Sequence, residues 1–150
     1  MSVRNQAGFS MAELLVVIAI ISIAALIAIP SWLAYGPAAT ITGAAREIQS
    51  GLYQARQLAI STRQNICVQF IPPRGYRFLQ GGCGGAAWVG LDTDGAGTFR
   101  VSNQNVTVAA GNPVFTQFGT TAQTAIFTVT GPQARQITVT VLPSGRVTIP

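Results

Sequence analysis

From Leu14 to Ala45 the chain carries no charged side chain, and within that run Leu14 to Ile29 is apolar except for Ser22. Extending the stretch from Phe9 to Leu33 gives 25 residues. As a helix this is roughly 37 Å long at about 1.5 Å per residue, enough to cross a hydrocarbon core of about 30 Å. A bilayer is the natural solvent for such a segment. Pro30 is expected to kink the helix rather than end it, whereas Gly36-Pro37 is expected to break it, because proline removes an amide donor and crowds the residue before it. One basic residue, Arg4, precedes the apolar run and favours a cytoplasmic start. Everything after Gly36 then lies outside the cytoplasm.

A cleaved secretory signal is the competing reading of the same residues, with Ala34-Tyr35-Gly36 as a small-x-small cleavage site and a soluble product beginning near Pro37. The apolar run exceeds the usual 7 to 15 residues of such signals, and proline would stand directly after the cut. Glu13 argues against it further. A carboxylate within the apolar stretch costs about 2.5 to 3.5 kcal/mol on insertion scales, so it calls for a partner.

The residues Gly8-Phe9-Ser10-Met11-Ala12-Glu13-Leu14-Leu15-Val16-Val17-Ile18 closely resemble the prepilin motif of type IV pilins and type II secretion pseudopilins. The resemblance implies that a prepilin peptidase cuts between Gly8 and Phe9 and methylates the new amino terminus at Phe9. The apolar helix then serves as membrane anchor and later as filament core. Glu13 falls at the fifth mature position, where the resemblance implies that its carboxylate meets the amino-terminal cation of a neighbouring subunit. Such a pair in a low-dielectric place is favourable only when both partners are present, which lets it set register.

Beyond the anchor, Ile41, Ala44, Ile48, Leu52, Ala55 and Ala59 recur at steps of three and four, predicting an amphipathic helix to about Arg63, with Gly51 tolerated inside it. From Asn65 the text changes to short β-rich runs punctuated by Gly, Pro and Asn. Strands are expected at 66–71, 76–79, 98–101, 106–109, 114–118, 126–130, 137–142 and 147–149. The alternation in Gln136-Ile137-Thr138-Val139-Thr140-Val141 marks a strand buried on one face. The expected fold class is α+β, with a long amino-terminal helix packed on an antiparallel head. The divisions are a leader at 1–8, an anchor and filament-core helix at 9–36, an amphipathic helix at 37–63 and a β-rich head at 64–150.

Ala45-Arg46-Glu47-Ile48, Gln54-Ala55-Arg56-Gln57-Leu58-Ala59-Ile60, Phe118-Gly119-Thr120 and Gly145-Arg146 look like the GspH/FimT branch, the minor pseudopilins of type II secretion and minor pilins of type IV pili. That resemblance implies a long helix packed on β-sheets, no catalytic activity, and a place at or near a filament tip. The implied partners are other pilin or pseudopilin subunits, the prepilin peptidase and the inner membrane, with the head in the periplasm before assembly. Some FimT-like members bind DNA through basic residues near the carboxyl end, which makes a DNA-binding minor pilin serving uptake the alternative, with Arg100, Arg135 and Arg146 as candidates. Here Gly145-Arg146-Val147-Thr148 carries one Arg where a stronger basic tail carries two.

Composition narrows the chemistry. Of the 150 residues, 49% are hydrophobic and 9% charged, against about 25% charged in ordinary soluble domains. The absence of histidine removes Ser-His-Asp and Cys-His nucleophile pairs, and two cysteines cannot build a four-thiolate zinc site. The nine basic residues, all Arg, give a net charge of +5 but form no run of adjacent cations. Cys67 and Cys83 are either a disulfide, permitted outside the cytoplasm, or two free thiols. Asp92-Thr93-Asp94-Gly95 resembles the opening of a calcium loop but lacks a distal acidic ligand, and a hairpin turn explains it more simply, leaving Asp92 and Asp94 as weak metal candidates. No catalytic residue or cofactor site is expected.

Overall fold

The computed structural model describes residues 9–150; the leader at 1–8, with Arg4 and Gly8, lies outside the described residues. The chain divides into two compact units, one ending at Gly36 and one beginning at Pro37. Backbone helix, however, is continuous from Met11 to Thr62 (α1). Gly36-Pro37 therefore marks the boundary between units but not the expected break in the helix. A single proline removes one backbone hydrogen bond, and the bonds before and after it carry the helix through.

The first unit begins with a cap. Ser10 Oγ accepts the Glu13 amide at 3.2 Å, and the Ser10 carbonyl accepts the amides of Glu13 and Leu14 at 3.1 and 3.2 Å. Serine suits this position because its side chain satisfies an amide left over at the helix start. From Met11 to Ile29 the helix is long and apolar enough to span a membrane, and none of that segment is buried within the chain.

In the second unit, α1 lays Ile41, Ala44, Ala45, Ile48, Leu52, Ala55 and Ala59 into the core, the stripe expected from the sequence with Ala45 added. The helix closes on Arg63 in the left-handed conformation (φ 54°), with the Gln64 amide bonded to the Ala59 carbonyl at 3.2 Å.

Eight strands follow: β1 (Ile66–Ile71), β2 (Gly75–Gln80), β3 (Thr98–Arg100), β4 (Thr107–Ala110), β5 (Val114–Phe115), β6 (Ala125–Thr130), β7 (Gln136–Val141) and β8 (Val147–Thr148). All pairings are antiparallel, in two four-stranded sheets ordered β3-β2-β1-β5 and β4-β6-β7-β8. The core between them is mostly aliphatic toward β6 and β7, where Val129, Val139 and Val141 are buried with the single aromatic Phe127. Toward β2 and β3 it is aromatic, with Phe99 against Phe78, Tyr76 and Trp88 at ring separations of 4.8, 5.2 and 6.2 Å. Gly51 has a specific place here, because a Cβ at that point would overlap the Tyr76 phenol ring, its Cζ lying 2.7 Å away.

The expected strand at 114–118 is cut short at Phe115. Thr116 and Thr120 close a turn with amide-to-carbonyl and hydroxyl contacts of 2.8 and 2.7 Å, and Gly119 supplies the positive φ of 74° the turn requires. Phe118 is thereby placed at the tip of a turn and is 76% exposed.

Candidate assembly surfaces

At the amino end, Phe9 is 80% exposed and Glu13 stands in the first turn of α1, where the partial positive charge of a helix start favours a carboxylate. The apolar side chains that follow, from Leu14 to Ile29, face outward. An apolar surface of this length is stable only when lipid or other chains cover it.

Three of the sequence words singled out above meet in the head. Arg56, projecting from α1, donates through Nε to the Gly119 carbonyl at 2.9 Å. Gly145, at the β7–β8 turn, packs its backbone against that same carbonyl, and a Cβ there would overlap it. At Gly119 a Cβ would stand 2.8 Å from Ile60 Cδ1 and 2.9 Å from Arg56 Nε. Both glycines have positive φ, 74° and 76°. The turns are tied further by the Thr121 amide and hydroxyl, which donate to the carbonyls of Pro143 and Leu142 at 2.9 and 3.1 Å.

The three arginines named for DNA are not gathered in one cluster. Arg135 precedes β7 and Arg146 follows it, opposite Leu142, so the two are separated by about 23 Å of strand at roughly 3.3 Å per residue. Arg100 lies in the other sheet, on edge strand β3, with its Nη2 3.9 Å from Asp94 Oδ2. Gly145, the residue before Arg146, stands beside Arg56: a Cβ there would lie 3.0 Å from Arg56 Nε.

Asp94 Oδ1 accepts the amides of Thr98 and Ala96 at 2.8 and 3.0 Å, and its carbonyl accepts the Gly97 amide at 2.9 Å. The backbone amide of Thr98 holds the Asp94 carboxyl below its ordinary range against the opposing effect of desolvation, and the amide of Ala96 adds to the lowering. This is a turn stabilised by its own aspartate. No cluster of three or more acidic or thiol ligands occurs among the described residues.

Cys67 and Cys83 are joined as a disulfide with Cα atoms 5.0 Å apart. Cys67 is fully buried on β1, and Cys83 reaches it from the glycine-rich loop, where Gly81 and Gly82 take φ of 81° and 120°. A surface groove of about 240 Å³ between the segments 111–114 and 121–125 is lined by Gly, Ala, Val, Pro, Asn, Gln and Thr, without a titratable side chain.

A further tie and a perturbed phenol were missed by sequence reasoning. The Glu47 carboxylate accepts the Ser102 amide and hydroxyl at 3.0 Å, fastening α1 to the loop between β3 and β4. Burial, with a smaller contribution from the negative Glu47, pushes the Tyr76 phenol up to about 12. A glycine within an otherwise good helix, Gly51, is the signal that could have pointed to the aromatic ring beside it.

Residues 3–29 match the family described as the prokaryotic N-terminal methylation motif. The fold is similar to the type IV minor pilin FimU of Pseudomonas aeruginosa (TM-score 0.55, 17% identity, covering 73% of this chain and 87% of that one). It is equally similar to EpsH, the minor pseudopilin of the type 2 secretion system of Vibrio cholerae (TM-score 0.55, 14% identity, covering 73% and 95%). No curated protein sequence matches the chain.

Proposed function

We propose that this type IV pilin-like chain is a minor structural subunit of a type IV pilus or type II secretion pseudopilus, held in the inner membrane until assembly, with its head in the periplasm. The observation that carries the reading is the coincidence of the methylation motif at 3–29 with a helix from Met11 to Ile29 long and apolar enough to cross a membrane. Processing between Gly8 and Phe9 would expose the anchor's new amino terminus, and lipid would cover the helix first, neighbouring helices afterwards. The chain's own role is packing and register, with no catalytic step. Glu13 is the proposed register residue, pairing with the amino-terminal cation of the next subunit.

DNA uptake is the second reading, and the separation of Arg135 from Arg146 along β7 gives it less support than the structural one. The experiment is Glu13→Ala in the full chain. The account expects normal or improved membrane insertion and a large loss from sheared filaments, whereas normal incorporation removes the register role.

A further inference from the structure

A groove that the assembly role leaves unused lies between α1 and the loop after β2. It measures about 260 Å³ and is lined by Gln54, Gln57, Leu58 and Ser61 of the helix and by Trp88 of the loop. Residues 54, 57, 58 and 61 follow the three- and four-residue steps of one helix face, so they form a row roughly 10 Å long at about 1.5 Å per residue.

The indole is held in place before anything binds. The Trp88 amide donates to the Phe78 carbonyl at 2.8 Å, and the ring packs 6.1 Å from Phe78 and 6.2 Å from Phe99, the latter with planes 13° apart. Gly90 closes on the ring, since a Cβ there would overlap it. The tryptophan remains half-buried rather than covered.

The polar groups of the row are neutral. Among the described residues the Gln54 and Gln57 side-chain amides have no hydrogen-bond partner, and each both donates and accepts. Ser61 donates its hydroxyl to the Leu58 carbonyl at 3.1 Å and keeps its oxygen as an acceptor. No charged side chain lines the groove, so a phosphate backbone or an acidic peptide meets no counter-charge there.

We infer that this groove binds a neutral oligosaccharide, a chain of N-acetylhexosamine units. A pyranose ring carries apolar C–H groups on its face and hydroxyls at its rim. The C–H groups lie against the indole, whose ring face is the negative end of its quadrupole, and Leu58 adds apolar contact. The rim hydroxyls and acetamido groups pair with Gln54, Gln57 and Ser61, because an amide that donates and accepts matches another amide. An aromatic wall with a few convergent polar groups is the ordinary form of a small-ligand site. The wall polysaccharide that a periplasmic head meets has this chemistry; that source of ligand rests on the location proposed above, whereas the site itself does not.

The test titrates the full chain, in a detergent without a sugar head group, with the trimer of β-linked N-acetylglucosamine, and in parallel sediments it with isolated cell-wall sacculi. The expected result is saturable trimer binding, weakened roughly fivefold in Gln54→Ala/Gln57→Ala at an unchanged melting temperature and roughly tenfold in Trp88→Ala. Because Trp88 also packs on Phe78 and Phe99, the glutamine variant decides. A tryptophan that only caps the core leaves no trimer binding, and binding indifferent to the glutamines places the ligand elsewhere; either result overturns the inference. Trimer binding with cosedimentation assigns the wall as the source, trimer binding without it assigns a free or protein-borne glycan, and both uphold the site. A head found in the cytoplasm by fractionation defeats the location reading and leaves trimer binding untouched, whereas absent trimer binding defeats the inference and leaves the filament reading standing.

Discussion

Arg56 donates through Nε to the carbonyl of Gly119 at 2.9 Å across 63 positions of sequence, fastening α1 to the turn that ends the first sheet. Gly145 of the second sheet presses on that carbonyl from its own turn. One arginine on the helix therefore holds a point where both sheets meet, and it does so with a guanidinium whose remaining donors are not needed for the bond.

Gly145→Ala is expected to lower the stability of the head by about 2 kcal/mol or more, combining the left-handed backbone with a methyl group driven into the Gly119 carbonyl. Gly111→Ala is the control, since a Cβ there meets nothing within 4 Å and the residue has no positive φ. Thermal unfolding of the two variants in detergent separates them. Equal melting temperatures would remove the joint from the account.

The Tyr76 phenol is predicted to make stability fall in alkali. Its folded value is raised to about 12 from 10.0, so the unfolded chain loses this proton first as pH climbs. The contribution is fully present below pH 10 and is lost between about pH 10 and 12, amounting to roughly 2 to 3 kcal/mol at most. Tyr76→Phe should flatten that part of the melting profile, and a wild-type-like alkaline fall in the variant would assign it elsewhere.

DNA binding by the full chain in detergent is expected to be weak and independent of sequence. Each phosphate neutralised contributes a log-log salt slope of about −0.9, and with the arginines dispersed the account expects a slope equivalent to one or two phosphates. Tight binding abolished by the Arg135→Ala/Arg146→Ala double variant would move DNA uptake ahead of the structural role.

Local patterning made much of the fold legible. The stripe from Ile41 to Ala59 and the alternation ending at Val141 each report burial on one face, and the structure buries the stripe together with Val139 and Val141, leaving Ile137 half-buried. The two cysteines were legible as a pair but not as a bond, because their spacing fixes neither distance nor direction. Tertiary ties were not legible: nothing near Arg56 in sequence points to Gly119, and nothing near Glu47 points to Ser102. Phe118 misled for a related reason. Its apolar side chain suggested a longer strand, but the threonines on either side and Gly119 after it close a turn. At Gly36-Pro37 the sequence signal was real, yet it marks a division between units rather than an end of helix.

Amino-terminal mass spectrometry of the membrane-extracted protein tests the central claim most directly. The account predicts a mature chain that begins at Phe9 with a methylated amino group, the product of cleavage after Gly8. A chain that begins near Pro37, or one that still carries residues 1–8 when recovered from filaments, would contradict it.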